Sequence, residues 1–377
     1  MHIALNAWFW DKPHTGSGQY LQRLTFSLAK IAPDMTISLI LPPHITTITE
    51  ALPPNVKPIH TTGRGGAVGK VWFEQRTFPR MVKACGADLA HVPYWGAPLT
   101  SPVKLVTSVL DVASLLLPEY YAIGFKGRAY NALISASAGG SDHIITISDA
   151  AKADIVEQLH IAPEKITTTH LGVDEVFHPK IGAQNDHLIR KKYNLPMSFV
   201  LYLGGFDYRK QVNQLLYAYT YLAQAEGDNY PLVIAGKEPN WDKRVFPDMR
   251  KYAQALGIDS YIEWIGYVDE ADKPALYRLS DLFVYPSIYE GFGLPPLEAM
   301  ACGVPVVVNA LDVFQETLGD GAYLVENART MGGAMISLLI QKPLRDTMIN
   351  QGLAQATRYT WRKTAQATLE VYQQVLS

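Results

Sequence analysis

The run YPSIYEGFGLPPLEAMACGVPVVV, Tyr285 to Val308, decides how this chain folds. It is led by Asp281 to Tyr285 (DLFVY), apolar and rich in aromatic and β-branched residues, which predicts a buried parallel strand. Glu290-Gly291-Phe292-Gly293-Leu294 follows as a glycine-rich turn. A helix is predicted from about Pro295 to Cys302, with proline in its first turn, where a missing N–H costs nothing. Gly303 ends it, and Val304 to Val308 reads as a second buried strand. A strand, glycine turn and helix start in that order aim unpaired N–H groups and a positive dipole end at one spot, which suits a phosphate.

Two carboxylates frame the turn, Glu290 before it and Glu298 on the helix. A phosphate pocket has no use for them, so their expected targets are hydroxyls, as in ribose recognition by dinucleotide folds. A lone G-x-G between two glutamates would read more plainly as a surface turn. The E-x7-E spacing within EGFGLPPLEAMACGVPVV is more specific, and it resembles the signature of retaining glycosyltransferases of family four, which have the GT-B fold.

The length of 377 residues suggests two domains or slightly more. With 48% hydrophobic and 18% charged residues and a net charge of −2, the chain can bury full cores and is not a general nucleic-acid binder. Cys85 and Cys302 stand far apart and in no metal-ligand spacing, which argues against a disulfide scaffold and fits a reducing cytoplasm. Met1 to Trp10 lacks a basic leader region, and Asp111 interrupts the apolar run Leu105 to Leu117. Neither a signal peptide nor a membrane span is therefore expected; peripheral contact at the inner face of a membrane stays open.

In chain order, His2 to Ala7 reads as a first buried strand, followed by the turn Thr15-Gly16-Ser17-Gly18 and a helix over Tyr20 to Ala29. Ile37 to Leu41 is a second strand. Gly63 to Gly69 (GRGGAVG) reads as a mobile loop, and Lys70 to Lys83 as a helix with Trp72, Phe73 and Phe78 packed inward. Basic residues among those aromatics would also suit an anionic membrane or acceptor. Further strands over 87–94, 104–109, 144–147 and 166–170 complete a doubly wound sheet. A second sheet starts with Phe199 to Leu203 and the turn Gly204-Gly205-Phe206-Asp207-Tyr208-Arg209-Lys210. Arg209 as a fork and Lys210 as a point charge suit a diphosphate. Strands ending at Gly236-Lys237 and Gly266-Tyr267-Val268 point into the same crevice.

The resemblance implies an α/β chain with two Rossmann-like domains facing across a cleft: residues 1–175 on the acceptor side, a linker over 176–198, and a nucleotide-sugar domain over 199–357. A helix over 358–377 would cross back to the first domain. It implies sugar transfer with retention from a nucleotide sugar, a mannosyl group on guanosine diphosphate being the first expectation, to a hydroxyl of a glycan, lipid-linked glycan or small molecule. Arg209, Lys210 and Glu290 are the catalytic candidates, with Asp111, where Leu110 replaces a histidine that many members carry. Gly16, Ser17, Gly18, Gly205, Lys237, Tyr267, Val268, Gly291, Phe292, Gly293, Leu294 and Glu298 are the donor-binding candidates. No D-x-D is present to hold a metal on the diphosphate, so no cofactor or metal is expected. A sugar-nucleotide epimerase on the same fold, or a non-catalytic nucleotide-sugar-binding protein, are the alternatives.

Overall fold

Short apolar strands separated by helices bury both faces of a parallel sheet, and this chain builds two such sheets. The computed structural model describes residues 1–63, 65–117, 124–241 and 246–377. They form two units, Met1–Gly172 with Thr360–Ser377, and Val173–Tyr359.

The first unit holds a sheet in the order β3-β2-β1-β4-β5-β6-β7, all parallel. Its strands are β1 (His2–Asn6), β2 (Thr36–Leu41), β3 (Val56–His60), β4 (Leu89–Val92), β5 (Lys104–Ser108), β6 (His143–Thr146) and β7 (Ile166–Thr168). Ile3, Leu5, Ile37, Leu39 and Ile40 are fully buried in it. The final helix, Trp361–Leu376, belongs to this unit and packs on the helix Gly16–Ile31. Its Tyr372 hydroxyl lies 2.6 Å from His91 Nδ1 on β4, and both side chains are completely buried.

The second unit has the order β10-β9-β8-β11-β12-β13, again all parallel. Its strands are β8 (Val200–Leu203), β9 (Leu232–Ala235), β10 (Ile262–Gly266), β11 (Leu282–Tyr285), β12 (Val306–Asn309) and β13 (Tyr323–Val325). In each sheet the chain builds outward on one side, then jumps back across its first strand. The reversal falls between β1 and β4 in one unit and between β8 and β11 in the other. Ligands of open parallel sheets bind outside the carboxyl ends of the strands at that reversal.

Three local expectations fail. The helix after β1 starts at Gly16, so Gly16 to Gly18 form its first turn rather than a preceding loop. Helix also starts at Gly66, inside the stretch expected to be a mobile loop; Arg64 of that stretch lies outside the described residues. Finally, Trp72 is 64% exposed while Phe73 and Phe78 are buried. A π-helical turn over Phe73–Thr77 explains this, because its i to i+5 spacing stacks Phe73 and Phe78 on one face and turns Trp72 away.

Candidate active site

At the reversal of the second sheet, the segment after β8 and the segment after β11 are stapled together. The backbone carbonyl of Arg209 accepts from Ile288 N at 2.9 Å and lies 3.1 Å from Ser287 Oγ. Arg209 and Lys210 sit on a single 3-10 turn, Tyr208–Lys210. Gln211 follows in the left-handed region (φ 47°), and the helix Val212–Glu226 starts from it. A non-glycine residue there carries some strain, which the two loops packed together sustain.

The side chains of this staple form one ion cluster. Glu290 Oε1 accepts from Lys210 Nζ at 2.5 Å and from Ser287 Oγ at 2.6 Å, while Oε2 accepts from Arg209 NH1 at 3.2 Å. Lys210 also donates to the Tyr285 hydroxyl and lies 4.8 Å from the centre of that ring. Burial by itself pushes the Glu290 carboxyl up, but Lys210, Arg209 and the bonds from Lys210 and Ser287 together bring it down to about 2. Burial is the larger influence on Lys210 and lowers its ammonium, against the opposing pull of Glu290. One carboxylate thus bridges two cations, and Asp207 Oδ1, 3.6 Å from Arg209 Nε, supplies a second negative charge in a nearly dry site.

Glu298 behaves in the opposite way. It lies on the helix Leu294–Ala301, is 5% exposed, and accepts from the Tyr277 hydroxyl at 3.0 Å. Burial outweighs Lys273 and the Tyr277 bond, raising its carboxyl to about 7. The two glutamates share a loop-helix unit but are shifted in opposite directions.

The turn between them needs its glycine. Gly293 has φ 97°, and a Cβ there would stand 2.7 Å from the Phe314 ring. Gly291 and Phe292 are buried, and Leu294 opens the helix. Gly205 follows β8, the exposed Lys237 follows β9, and Tyr267 (53% exposed) and buried Val268 follow β10. All these candidates therefore stand along the carboxyl edge of four adjacent strands, β10-β9-β8-β11.

With this geometry in place, the comparisons are specific. Residues 36–177 match the family model described as Glycosyltransferase Family 4, and residues 185–355 the one described as Glycosyl transferases group 1. O-antigen chain mannosyltransferase B of Escherichia coli is 30% identical over 271 residues, covering 71% of this chain and 70% of that protein. The chain belongs to glycosyltransferase family 4. A serotype-specific mannosyltransferase of Escherichia coli is 29% identical over 280 residues, 73% of this chain but 34% of that longer protein. The solved sucrose-phosphate synthase of Thermosynechococcus elongatus superposes with a TM-score of 0.78 at 21% identity, over 100% of this chain and 99% of that one. The fold of this glycosyltransferase is GT-B, with two Rossmann-like parallel-sheet domains.

The remaining candidates of this glycosyltransferase lie in its first unit. Gly18 N donates to Thr15 Oγ1 at 3.3 Å, and a Cβ on Gly18 would lie 1.9 Å from the Lys12 carbonyl oxygen, so this glycine is required by the turn itself. Gly16 has open space where a Cβ would stand, and Ser17 follows it in the first helical turn. Asp111, after β5, accepts from Ala113 N at 3.0 Å. Among the described residues no cluster of three or more His, Cys, Asp or Glu could hold a metal ion, and no helix is long and apolar enough to cross a membrane.

Tyr285, Ser287 and Tyr277 complete the environment of the two glutamates and escaped the sequence reading. Tyr285 and Ser287 are polar positions two apart at the end of an otherwise apolar strand, a period that puts them on one face. That was the available signal. Tyr277, on the helix Lys273–Leu279, had none.

Proposed function

We propose that this glycosyltransferase moves a mannosyl group, with retention and without a metal, from guanosine-diphosphate mannose to a hydroxyl of a glycan acceptor. The observation that carries this reading is the Arg209–Lys210–Glu290 cluster at the reversal of the second sheet. The choice of mannose draws on the two Escherichia coli relatives, both mannosyltransferases.

Cleavage of the sugar–phosphate bond gathers negative charge on the departing diphosphate and positive charge on the sugar ring. Arg209 and Lys210 are positioned to take the first, with the N-terminal end of the helix Leu294–Ala301 adding its dipole. Two cations and a helix end supply the charge that a divalent metal would otherwise bring. When the diphosphate engages the cations, Glu290 is released from them to hold sugar hydroxyls and favour the positive ring. Glu298 holds the ribose, and the ends of β9 and β10, with Lys237, Tyr267 and Val268, receive the base.

Glu290, once released, is engaged by sugar hydroxyls, so retention is best served by attack on the face that the diphosphate leaves, the phosphate oxygen taking the acceptor proton. The test incubates the enzyme with a panel of nucleotide sugars and methyl glycosides and follows products by mass spectrometry and proton NMR. Transfer of mannose in the α configuration supports the reading. Inverted linkage, isomerised donor without transfer, or exclusive use of another sugar overturns it.

A further inference from the structure

The reversal of the first sheet, between β1 and β4, carries a second polar cluster. Asn6 is the last residue of β1, and Tyr94 lies two residues beyond β4. The Tyr94 hydroxyl donates to Asn6 Oδ1 at 3.3 Å, and Glu74, from the π-helical turn, lies against Tyr94. Lys70 Nζ lies 3.3 Å from Glu74 Oε1 and donates to the Tyr130 hydroxyl at 2.6 Å. The ammonium stands 5.3, 5.2 and 5.0 Å from the ring centres of Phe9, Tyr94 and Tyr130.

Two buried atoms of this cluster, Glu74 Oε2 and Asn6 Nδ2, have no hydrogen-bond partner among the described residues, and both side chains are 0% exposed. Orphaned buried polar groups cost free energy of about 1–3 kcal/mol each, so their presence in a folded protein needs a reason. One unmet acceptor and one unmet donor beside the same tyrosine call for a group that both donates and accepts. A hydroxyl does so; a phosphate at neutral pH mainly accepts. Three aromatic rings supply faces for the C–H side of a sugar ring. The Lys70 charge is balanced by Glu74 behind it, which disfavours a strongly anionic ligand. Lys70, with its side chain 22% exposed, is the removable cover over the carboxylate.

We infer that the Lys70–Glu74–Tyr130 cluster is the subsite for the terminal sugar of the acceptor, Lys70 moving aside so that two ring hydroxyls bind Glu74 and Asn6. This names the acceptor site of the proposed transferase and rests on that reading for its role in transfer, though not for its ability to bind a sugar.

Saturation-transfer NMR tests it directly, with methyl glycosides of mannose, galactose, glucose and N-acetylglucosamine on wild type, Glu74→Gln and Lys70→Met. At least one glycoside is expected to bind wild type, to bind Glu74→Gln about tenfold more weakly or worse, as for loss of a charged hydrogen bond, and to bind Lys70→Met, which lacks the cover, at least as tightly as wild type. Guanosine diphosphate binding should be unchanged in both, and the thermal midpoint of Glu74→Gln should stay at the wild-type value. If Glu74→Gln lowers the midpoint, Tyr130→Phe, on the partly exposed rim, takes its place. No binding of any glycoside to wild type, undiminished binding by folded Glu74→Gln or Tyr130→Phe, or weaker binding by folded Lys70→Met overturns the inference. Failure of the transferase reading shows separately, as absence of guanosine diphosphate binding or of sugar transfer by wild type.

Discussion

Lys210 and Glu290 are 80 residues apart in sequence and 2.5 Å apart in the structure, one ammonium and one carboxylate oxygen, each nearly excluded from water. Neither would tolerate burial alone. Removing one partner therefore leaves the other to bear the cost of a buried charge.

Lys210→Met is expected to destabilise the fold by about 3 kcal/mol, the low end for breaking a buried pair, because Arg209 and Ser287 still hold Glu290. Adding Glu290→Gln should recover part of that loss. Urea unfolding of the two single variants and the double variant measures the coupling, and additive losses would show that the two charges are independent.

Glu290→Gln should lower kcat about 100-fold if the carboxylate supplies about 3 kcal/mol to the charged transition state. Its affinity for guanosine diphosphate should stay equal or rise, since the two cations no longer have to leave a carboxylate. Calorimetry beside steady-state rates checks both; a large loss of diphosphate affinity would remove Glu290 from the role of a releasable placeholder.

The two glutamates make opposite contributions to pH stability. Glu298 is raised to about 7, so between its unfolded value near 4.5 and about 7 the folded protein holds a proton that the unfolded chain has lost. The stability it contributes is complete below 4.5 and falls as pH rises through 7, by about 3 kcal/mol at most. Glu290, lowered to about 2, contributes stability above 4.5 that disappears as pH falls toward 2. Urea midpoints of wild type and Glu298→Gln from pH 4.5 to 8 should converge at the acid end and favour the variant at the alkaline end. In kinetics, Glu298→Gln should raise the donor KM with kcat nearly unchanged, as for a contact equal in ground and transition states.

Turnover should be unaffected by excess EDTA. Activity that collapses with chelator and returns with magnesium or manganese would show that Arg209 and Lys210 do not suffice to neutralise the diphosphate.

Tyr372→Phe removes the hydroxyl that meets His91, whose ring burial lowers to a pKa of about 3 and so keeps neutral. A loss of about 1 kcal/mol or somewhat more is expected, independent of pH between 5 and 8, because no charge is involved. Thermal unfolding across that range reads it. A pH-dependent loss would mean that the histidine titrates.

The glycine turn, its flanking strands and the helix with proline at its start were legible because each is a local matter of periodicity and backbone conformation, and the same stretch carried the family. Other local signals misled. The edge strand Val56–His60 carries little local signal, since Pro58 cannot donate to a ladder, which an edge position tolerates. Trp72 was placed inward because a regular helical period was assumed across a π-turn. Beyond local conformation, the residues declared only their types: two cations after one strand, a carboxylate after another. That Glu290 bridges both cations, that burial raises the Glu298 carboxyl beside Tyr277, and that Asn6 and Glu74 converge on Tyr94 was decided by tertiary structure. The parallel pairing of β8 with β11, and of β1 with β4, brings segments some 80 residues apart to one sheet edge, and burial there sets which charges survive.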